Sequence, residues 1–532
     1  MNIEVTQGGK TIVLSIPEAK KISLLEILRE NDIQVRADCG GKGRCFKCEV
    51  KISQGATDAT AADLKHFSEE EIKEGYRLSC LSFPKADMKV EVPEYLEDEM
   101  EVDSHTEHSI GGEKSANDKP SKYGFAIDIG TTTIAISLVD VANRKIVDTY
   151  SGVNHQRQWG SDVIARIQAS NDGEKDELQN SIICDLKTGI ESLLKKYSIG
   201  ENDFEHIVIS GNTTMGHLLM GFSCEGLGVV PFTPVDISTI TVSSKDLLGA
   251  FNAEITLTPG VSTYVGGDIT SGMLVTNMCE EEGLSFLLDI GTNGEMALAN
   301  KDKCLVTSTA AGPAFEGGQI KCGMASVPGA ISAVDIKEDD TVALKTIGDK
   351  APIGFCGTGV LEAICELVKK ELIDETGVLD DDYFDDGYEF AKSPDGDEIR
   401  IFQEDIRQIQ LAKSAIRAGM ETLIEESGAS YDDIKNVYIA GGFGYRINLE
   451  KAVGIGLLPE ELLPKMKAVG NTSLQGSVEI LNGFYDDEAK SLSKEQNNAI
   501  KRAERIVSDS KEVDLSTSKL FNEYYMEYMM FE

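Results

Sequence analysis

The stretch Phe125-Ala-Ile-Asp-Ile-Gly-Thr-Thr-Thr133 decides the fold of most of this chain, because it returns as Phe286-Leu-Leu-Asp-Ile-Gly-Thr-Asn-Gly294. Each copy is an apolar run that ends in Asp, followed by a turn containing glycine. An alternating run then follows each turn, over Ile134 to Val139 and over Glu295 to Leu298. Such a pattern predicts a β-hairpin that is used twice.

A second pair of similar segments lies downstream of the two hairpins. Ile207-Val-Ile-Ser-Gly-Asn-Thr213 follows the first, and Val437-Tyr-Ile-Ala-Gly-Gly-Phe-Gly444 follows the second. Each predicts a short buried strand that runs into a glycine turn. Repeats of this length indicate two similar α/β lobes, which we place at 123–285 and 286–532. From about Lys490 onward the second lobe is expected to end in a helical tail that packs on the body.

The first 95 residues predict a smaller, separate α+β domain. Gly8-Gly9 joins two predicted strands, and Ser23 to Glu26 forms the sequence pattern of a capping box at the start of a helix. Residues 96–122 are rich in acidic residues, Ser and Gly and have little to bury. We therefore expect a flexible acidic linker between the small domain and the two lobes.

The net charge and the cysteine content exclude several classes of function. The 532 residues include 51 Lys plus Arg against 90 Asp plus Glu, which gives a formal net charge of -39. A surface this acidic argues against nucleic acid or an anionic membrane as a partner. No segment has the pattern of a signal peptide or a membrane span, so a cytoplasmic protein is expected. The eleven cysteines are then thiols or metal ligands rather than a disulfide framework.

Four of those cysteines have the spacing of an iron–sulfur site. Cys39, Cys45 and Cys48 share one glycine-rich loop, and Cys80 follows 32 positions after the third. Three thiolates on one loop with a distant fourth are typical of a [2Fe–2S] cluster, whereas zinc sites usually pair two short arms. A zinc site or free thiols are the alternatives. The region resembles ferredoxins with the β-grasp fold, in particular those with an adrenodoxin-like loop.

Two further cysteines and two asparagine patterns give weaker signals. Cys322 and Cys356 both lie beside glycines, and a second cluster shared across a dimer is one interpretation of them; buried thiols are the other. Asn212-Thr-Thr and Asn471-Thr-Ser match the glycosylation pattern, which has no meaning in a cytoplasmic protein.

The paired Asp-Ile-Gly-Thr segments predict a nucleotide site. A strand–turn–strand with Gly and hydroxyl residues at the turn can surround a phosphate with N–H and O–H donors. An Asp at the end of the first strand can hold Mg²⁺ directly or through water. Two such turns that face each other can bind a triphosphate from both sides.

In this respect the chain resembles the actin/Hsp70/sugar-kinase ATPase superfamily, which has an RNase H-like fold. Asp128 to Thr133 is similar to its first phosphate loop, Asp289 to Glu295 to its second, and Ala440 to Gly444 to its adenosine loop. The resemblance implies ATP and Mg²⁺ as cofactors, with Asp128, Asp289 and Glu295 in catalysis. The residues expected to contact the nucleotide are Gly130, Thr131, Thr132, Thr133, Gly291, Thr292, Asn293, Gly294, Gly441 and Gly442.

The order of cluster domain, linker and duplicated ATPase resembles one family over almost the whole chain, the reductive activators of corrinoid proteins. Further similar stretches are Gly211 to Met215, Gly266 to Asp268 and Ala311 to Gly317. The resemblance implies ATP-dependent reduction of cob(II)alamin to cob(I)alamin on a corrinoid protein of an anaerobic methyltransferase system. It also implies a low-potential electron donor, such as a ferredoxin or flavoprotein, and a homodimer.

Two other functions are compatible with the same motifs. A small-molecule kinase with a redox-sensing ferredoxin domain needs a base near the γ-phosphate, and Asp268 or Asp289 could serve. A module without enzymatic activity could use ATP as a conformational switch that controls partner binding. Neither of these functions explains why a one-electron centre is fused to an ATPase. The sequence therefore favours the activator.

Overall fold

The computed structural model describes residues 1–16, 22–31, 33, 35, 37, 40–43, 45–93, 121–444, 446–486, 488 and 490–531. Cys39 and almost all of the predicted linker lie outside the described residues. Among the described helices, none is both long and apolar enough to cross a membrane.

The N-terminal unit contains a five-stranded sheet of order β2-β1-β5-β3-β4. Its elements are β1 (Asn2–Gln7), β2 (Lys10–Ser15), α1 (Leu24–Arg29), β3 (Glu49–Gln54), α2 (Ala61–His66), α3 (Glu69–Glu74), β4 (Tyr76–Leu78) and β5 (Met88–Glu91). The predicted hairpin at Gly8-Gly9 is confirmed, since β1 and β2 pair antiparallel on either side of it.

The predicted capping box at the start of α1 is also confirmed. The Ser23 hydroxyl accepts a hydrogen bond from the Glu26 amide at 3.2 Å, and the Glu26 carboxylate accepts one from the Ser23 amide at 2.6 Å. These bonds satisfy backbone donors that a helix start otherwise leaves unpaired. The helix can then bury Leu24, Ile27 and Leu28 against the sheet.

The second unit is built on a six-stranded sheet of order β10-β11-β9-β6-β7-β8. Its elements are β6 (Tyr123–Ile129), β7 (Thr133–Asp140), β8 (Lys145–Val153), α4 (Val163–Ala169), α5 (Lys175–Tyr197), β9 (Phe204–Gly211), α6 (Thr213–Met220), α7 (Glu225–Gly228), β10 (Ile240–Ser243), α8 (Ser244–Leu247), β11 (Glu254–Leu257) and α9 (Gly267–Thr276).

The third unit has a six-stranded sheet of order β21-β20-β12-β13-β14-β22, with two smaller sheets beside it. Its elements are β12 (Leu284–Ile290), β13 (Gly294–Asn300), β14 (Lys303–Thr309), β15 (Ala330–Ile336), β16 (Val342–Thr346), β17 (Gly354–Phe355), α10 (Gly357–Lys369), β18 (Tyr388–Lys392), β19 (Glu398–Ile401), α11 (Gln403–Ser427), β20 (Ile434–Ala440), α12 (Leu449–Gly454), β21 (Met466–Gly470), α13 (Thr472–Asn482), α14 (Asn498–Asp509), β22 (Lys511–Glu512) and α15 (Lys519–Glu527).

The two large sheets repeat one arrangement. β6, β7 and β8 form an antiparallel meander with β9 parallel to β6, and β12, β13 and β14 form the same meander with β20 parallel to β12. In this register Asp128 lies opposite Ser210, and Asp289 opposite Ala440. The parallel pairing therefore places each glycine turn after β9 or β20 beside the Asp-Ile-Gly-Thr turn of its own lobe. Both predicted hairpins are confirmed.

Helices α9 and α13 cross between the two sheets at very short range. A Cβ on Gly476 would lie 2.3 Å from Ser271 Cβ, and a Cβ on Gly272 would lie 2.7 Å from Leu287 and 2.9 Å from Thr472. Only glycine permits this approach. The C-terminal third of the chain thus returns to the second unit, where Thr239 also donates to Glu504 at 2.8 Å.

The C-terminal end packs on the body, as predicted. Lys413 on α11 is fully buried, and its ammonium donates to the carbonyls of Tyr528 at 2.7 Å and Met530 at 2.6 Å. The amide of Gln410 donates to the Met529 carbonyl at 2.8 Å.

We expect Lys413→Met to lower the free energy of unfolding by about 2 kcal/mol, because carbonyls near the chain end lose a buried charged donor. Chemical denaturation measures this loss. Lys392→Met, at a side chain that is 57% exposed, is the matched control and should change it by less than about 0.5 kcal/mol. Equal effects of the two substitutions would contradict the anchoring role.

Candidate functional site

A cavity of about 200 Å³ lies between the two large sheets, at the ends of β6 and β12. Its walls include both Asp-Ile-Gly-Thr turns. Of the residues predicted to bind nucleotide or catalyse, those that line it are Asp128, Gly130, Thr131, Thr132, Thr133, Asp289, Gly291, Thr292, Asn293, Glu295, Gly441 and Gly442. Gly294 does not line it, since this residue packs against Thr309 and Ile416.

Each turn is held by its own backbone. The Gly130 amide donates to the Thr133 carbonyl at 2.9 Å, and the Gly291 amide donates to the Asn293 carbonyl at 3.0 Å. A Cβ at Gly130 would lie 2.8 Å from that carbonyl oxygen, so the first turn requires glycine. The threonine hydroxyls that follow are presented to the cavity at fixed positions.

Glu316 joins the two turns. It accepts a hydrogen bond from the Thr132 hydroxyl at 2.5 Å, and the Thr292 hydroxyl lies 3.0 Å from its carboxylate oxygens. Burial raises the pKa of this carboxyl, which the two threonine hydroxyls partly offset. One side chain therefore contacts both predicted phosphate loops. The paired motifs give Glu316 no role, although it lies in the stretch Ala311 to Gly317 that carries the resemblance.

Asp128 is held by the start of α13. Its carboxylate accepts hydrogen bonds from the Asn471 amide at 2.7 Å and from the Ser473 hydroxyl at 2.6 Å. Asn471 belongs to a segment that the sequence analysis set aside as a glycosylation pattern. Asn212 matches the same pattern but also lies in the stretch Gly211 to Met215 that carries the resemblance, and its amide donates to the Thr131 hydroxyl at 3.1 Å. Both asparagines cap helices and contact a loop of the cavity.

Besides Glu316, four further carboxyl groups of the cavity have raised pKa values, mainly because they are enclosed by protein. The pKa of Asp268 is raised to about 7 and that of Asp289 to about 8, by burial and by the negative charge of neighbouring carboxylates. Burial also raises the pKa of Asp128 and of Glu295. This concentration of negative charge favours a bound cation.

Helix N-termini provide the opposite charge. The cavity lining includes Asn212 at the start of α6, Asp268 in the first turn of α9, Thr358 at the start of α10 and Asn471 at the start of α13. The N-terminus of a helix carries partial positive charge and free N–H groups, and so favours anions such as phosphate. The cleft therefore offers carboxylates for a cation and amides for an anion.

The predicted adenosine loop forms another side of the cavity. Gly441 has φ of +90°, and a Cβ there would lie 2.5 Å from Asp289 Oδ1. Nothing lies within 4 Å of the position that a Cβ on Gly442 would occupy. Next to it, Phe443 stacks on Phe315 with ring centroids 5.0 Å apart. The backbone is thus open to a flat ligand at Gly442.

The described cysteines of the predicted cluster lie in the N-terminal unit. The sulfurs of Cys48 and Cys80 are 3.2 Å apart and buried, while Cys45 is partly buried. The Ser79 amide donates to the Cys48 carbonyl at 2.8 Å, which fixes Cys80 beside Cys48. Cys39 lies outside the described residues. Within those residues no group of three or more His, Cys, Asp or Glu side chains is arranged to hold a metal ion.

The separation of these two sulfurs bears on the chemistry. At 3.2 Å they are beyond the roughly 2.05 Å of a disulfide bond. Gly40, Gly41 and Gly43 of the adjoining loop all have positive φ, a conformation that favours glycine. Two buried cysteine side chains with adjacent sulfurs beside a glycine loop fit a [2Fe–2S] cluster.

Cys322 and Cys356 have separate surroundings. The Cys322 sulfur lies 3.8 Å from the Glu398 carbonyl, and the Cys356 thiol donates to the Ile331 carbonyl at 3.3 Å.

Comparisons with known proteins agree with this arrangement. Residues 5–85 match the 2Fe-2S iron–sulfur cluster binding domain, 123–281 the RACo middle region, and 283–532 the C-terminal domain of RACo, the ASKHA domain. The corrinoid activation enzyme RamQ of Eubacterium limosum is 33% identical over 77% of this chain and 70% of its own length. The chain belongs to the family of reductive activators of corrinoid proteins.

Two further members of this family are similar over most of the chain. The [Co(II) methylated amine-specific corrinoid protein] reductase of Methanosarcina barkeri is 26% identical over 76% of each chain. The solved structure of a reductive activator for corrinoid, iron–sulfur protein covers 99% of this chain and 98% of its own, with 27% identity and a TM-score of 0.70. The predicted fold, a ferredoxin domain followed by an actin-like ATPase, is confirmed. These relatives do not favour the kinase alternative.

The raised pKa values predict a pH dependence of stability. The ordinary Asp pKa of 3.8 rises to about 7 for Asp268 and about 8 for Asp289. The stability that these groups contribute is therefore complete below about pH 4 and is lost as the pH rises through 7 and 8. We expect Tm, without nucleotide, to fall by a few degrees between pH 6 and 8.5.

Scanning calorimetry measures this change, and added Mg²⁺ should reduce it by stabilising the ionised carboxylates. Asp289→Asn should flatten the profile over the same range. Asp246→Asn, at an exposed residue of α8, is the control and should leave the profile unchanged. A wild-type Tm that rises over this range would contradict the assignment.

Proposed function

We propose that this protein uses ATP to drive one-electron reduction of a corrinoid protein, converting cob(II)alamin to cob(I)alamin for methyl transfer. The observation that carries the proposal is the presence, in one chain of this family, of a buried cysteine pair in a ferredoxin-like unit and a two-lobed cleft lined with carboxylates. Electron carriage and ATP hydrolysis are then activities of one molecule.

The cleft residues support ATP binding. The hydroxyls of Thr131 and Thr133 and the amide of Asn293 provide donors for phosphate oxygens at the two turns, while the hydroxyls of Thr132 and Thr292 donate to Glu316. Gly441 and Gly442 leave the backbone open on the adenosine side. Phosphoryl transfer depends mainly on positioning and charge neutralisation, which these fixed donors and the helix N-termini supply.

The carboxylates fit Mg²⁺. The Asp289 carboxylate has no side-chain hydrogen-bond donor in the part of the chain that the structure describes, and neighbouring negative charge raises its pKa. We assign Asp289 and Asp268 to the ion, directly or through water, with Asp128 held in place by Asn471 and Ser473. When bound, Mg²⁺ supplies the positive charge that offsets the phosphates.

Glu316 and Glu295 are the candidates for handling the attacking water. Glu316 is centred between the loops through Thr132 and Thr292, whereas Glu295 accepts a hydrogen bond from Asn293 at 3.1 Å. A carboxyl with a raised pKa is a stronger base once it is ionised. Glu316 contacts both loops, so we assign it the base and Glu295 the support of Asn293.

In the N-terminal unit, Cys39, Cys45, Cys48 and Cys80 are the proposed ligands of the cluster. A cluster held by these four cysteines would supply a one-electron carrier. The electron balance is then one electron from an external low-potential donor, such as a ferredoxin or flavoprotein, to one Co(II) in the corrinoid substrate. ATP and one water give ADP and phosphate. We also propose that the protein forms a homodimer. The proposed domain boundaries follow residues 95, 122 and 285.

Anaerobic absorption spectroscopy tests the function directly. The holoprotein is mixed with a cob(II)alamin-loaded corrinoid protein of a methyltransferase system and a low-potential reductant. We expect the Co(I) band to grow with Mg-ATP and to stay absent with a non-hydrolysable analogue. Equal Co(I) formation with and without ATP would contradict an ATP-driven activator.

The cluster has its own control. Cys80→Ser should lose bound iron and Co(I) formation, while ATP binding measured by calorimetry stays within about twofold, because Cys80 lies outside the cleft. Cys184→Ser, at an exposed thiol, should keep both. Co(I) formation by a Cys80→Ser protein that holds no iron would contradict the electron route.

We expect Glu316→Gln to slow ATP hydrolysis by about 100-fold or more, because the amide keeps the shape of Glu316 but cannot accept a proton from water. Binding of the analogue should change less than about threefold. Phosphate release and calorimetry separate the two effects, and Glu461→Gln, at an exposed residue, is the control. Unchanged hydrolysis would remove Glu316 from the mechanism.

A further inference from the structure

The cluster loop lies directly on the ATPase. A Cβ on Gly40, which follows Cys39 in the chain, would lie 2.6 Å from the Trp159 carbonyl oxygen. Gly40 has φ of +63°, so the backbones meet with no side chain between them. On the same side, the Arg29 guanidinium lies over the Trp159 ring, 5.7 Å from its centroid. The Trp159 indole in turn donates to Glu174 at 3.1 Å.

The Arg29 side chain at this contact does not have all of its hydrogen bonds. Nε and Nη2 of Arg29 are buried and have no hydrogen-bond partner among the described residues. Burial lowers the pKa of Arg29, and the negative charges of Glu174 and Cys48 work against that effect. Burying guanidinium nitrogens without acceptors costs free energy that is regained when the surfaces separate. The contact is therefore one that a small movement can release.

The opposite face of the Trp159 segment is tied to the nucleotide cleft by one side chain. Arg166 is fully buried, and its Nη2 donates to the Thr131 carbonyl at 2.5 Å. Its Nε donates to the carbonyl of Gly160, next to Trp159, at 2.9 Å. A planar guanidinium that bridges two carbonyls transmits a shift of either one. A chain of direct contacts thus runs from Thr131 through Arg166 and Trp159 to Gly40.

We propose that Arg166 makes docking of the cluster domain on Trp159 dependent on nucleotide, so that ATP in the cleft releases the cluster loop. Phosphate oxygens draw the Thr131 turn toward them, and Arg166 carries that shift to the Gly160 carbonyl. The Gly40 and Trp159 backbones are already in close contact, so a shift of the Gly160 carbonyl displaces the cluster loop. The inference rests on the proposed nucleotide site, and it assigns regulation to contacts outside that site.

The coupling is reciprocal, because a ligand that weakens docking must itself bind more tightly when docking is weak. Release also frees the Arg29 and Gly40 face beside the cluster cysteines. That face then becomes available to an electron acceptor. Nucleotide thereby controls which surface the cluster domain contacts, the first lobe of this chain, at Trp159, or the substrate protein.

Trp159 is the single tryptophan of the chain, so its emission reports on this contact alone. The coloured cluster quenches a tryptophan that lies against its loop. With Mg²⁺ and a non-hydrolysable ATP analogue, we expect emission of the holoprotein to rise at least twofold, and emission of iron-free protein to stay constant. Calorimetry on the same samples measures nucleotide binding.

Two variants locate the coupling. Arg166→Met should keep nucleotide binding but lose the rise in emission, whereas Arg505→Met, at an exposed arginine of α14, should keep both. Should Arg166→Met fail to fold, Arg29→Met tests the contact from its other side. It should raise emission without nucleotide and tighten nucleotide binding severalfold.

The outcomes separate the two proposals. Nucleotide binding without a rise in holoprotein emission overturns the coupling and leaves the proposed function standing. An equal rise in iron-free protein also overturns it, because the change would then be local to Trp159. Absence of nucleotide binding in the wild-type protein overturns the proposed function, and the coupling with it.

Discussion

The close crossing of α9 and α13 is the constraint on which the cleft depends. Gly272 and Gly476 let the two helices approach until backbone meets side chain. Because the helices begin at the cavity, their crossing fixes Asp268 at the start of one relative to Asn471 and Ser473 at the start of the other. Those two polar residues then orient Asp128 on β6. A larger residue at either glycine would separate the groups that the proposed chemistry needs together.

The cleft gathers negative charge and helix N-termini in one place, and the two have to be considered together. Carboxylates with raised pKa values destabilise the ligand-free state at neutral pH, whereas a cation with a bound phosphate chain relieves their repulsion. Under the proposed function, this repulsion makes the arrangement of the two lobes depend on bound nucleotide. Glu316 adds to this dependence, because it contacts a threonine on each lobe and so senses their separation.

Local sequence patterns predicted the parts of the site that are made within one segment. The Asp-Ile-Gly-Thr hairpins, the glycine turn at Gly441 and the cysteine spacing all depend on neighbours within a few residues. The bonds between Thr132 and Glu316 and between Asp128 and Ser473 span 184 and 345 positions, and no periodicity reports on contacts that long. Asn471 caps the helix that follows it, but from the sequence it was considered only as a match to the glycosylation pattern and was dismissed. Its contact with Asp128 joins the two lobes. It can therefore be seen only once the lobes are packed together.

Reduction of Co(II) to Co(I) is unfavourable for an ordinary electron carrier, since each opposing 59 mV costs about a tenfold factor in the equilibrium. ATP does not have to act on the electron itself to overcome this factor. It is enough that hydrolysis changes which surfaces meet, so that transfer occurs in one complex and return of the electron is prevented in the next. The contacts between the cleft and the cluster domain can provide such control, because they act on the position of the domain. They pass through the Thr131 and Gly160 carbonyls and the Trp159 ring. These groups set the position of the cluster domain and do not themselves carry the electron. A protein whose cleft governs the position of its electron carrier can thus couple ATP to an electron without any bond between the two chemistries.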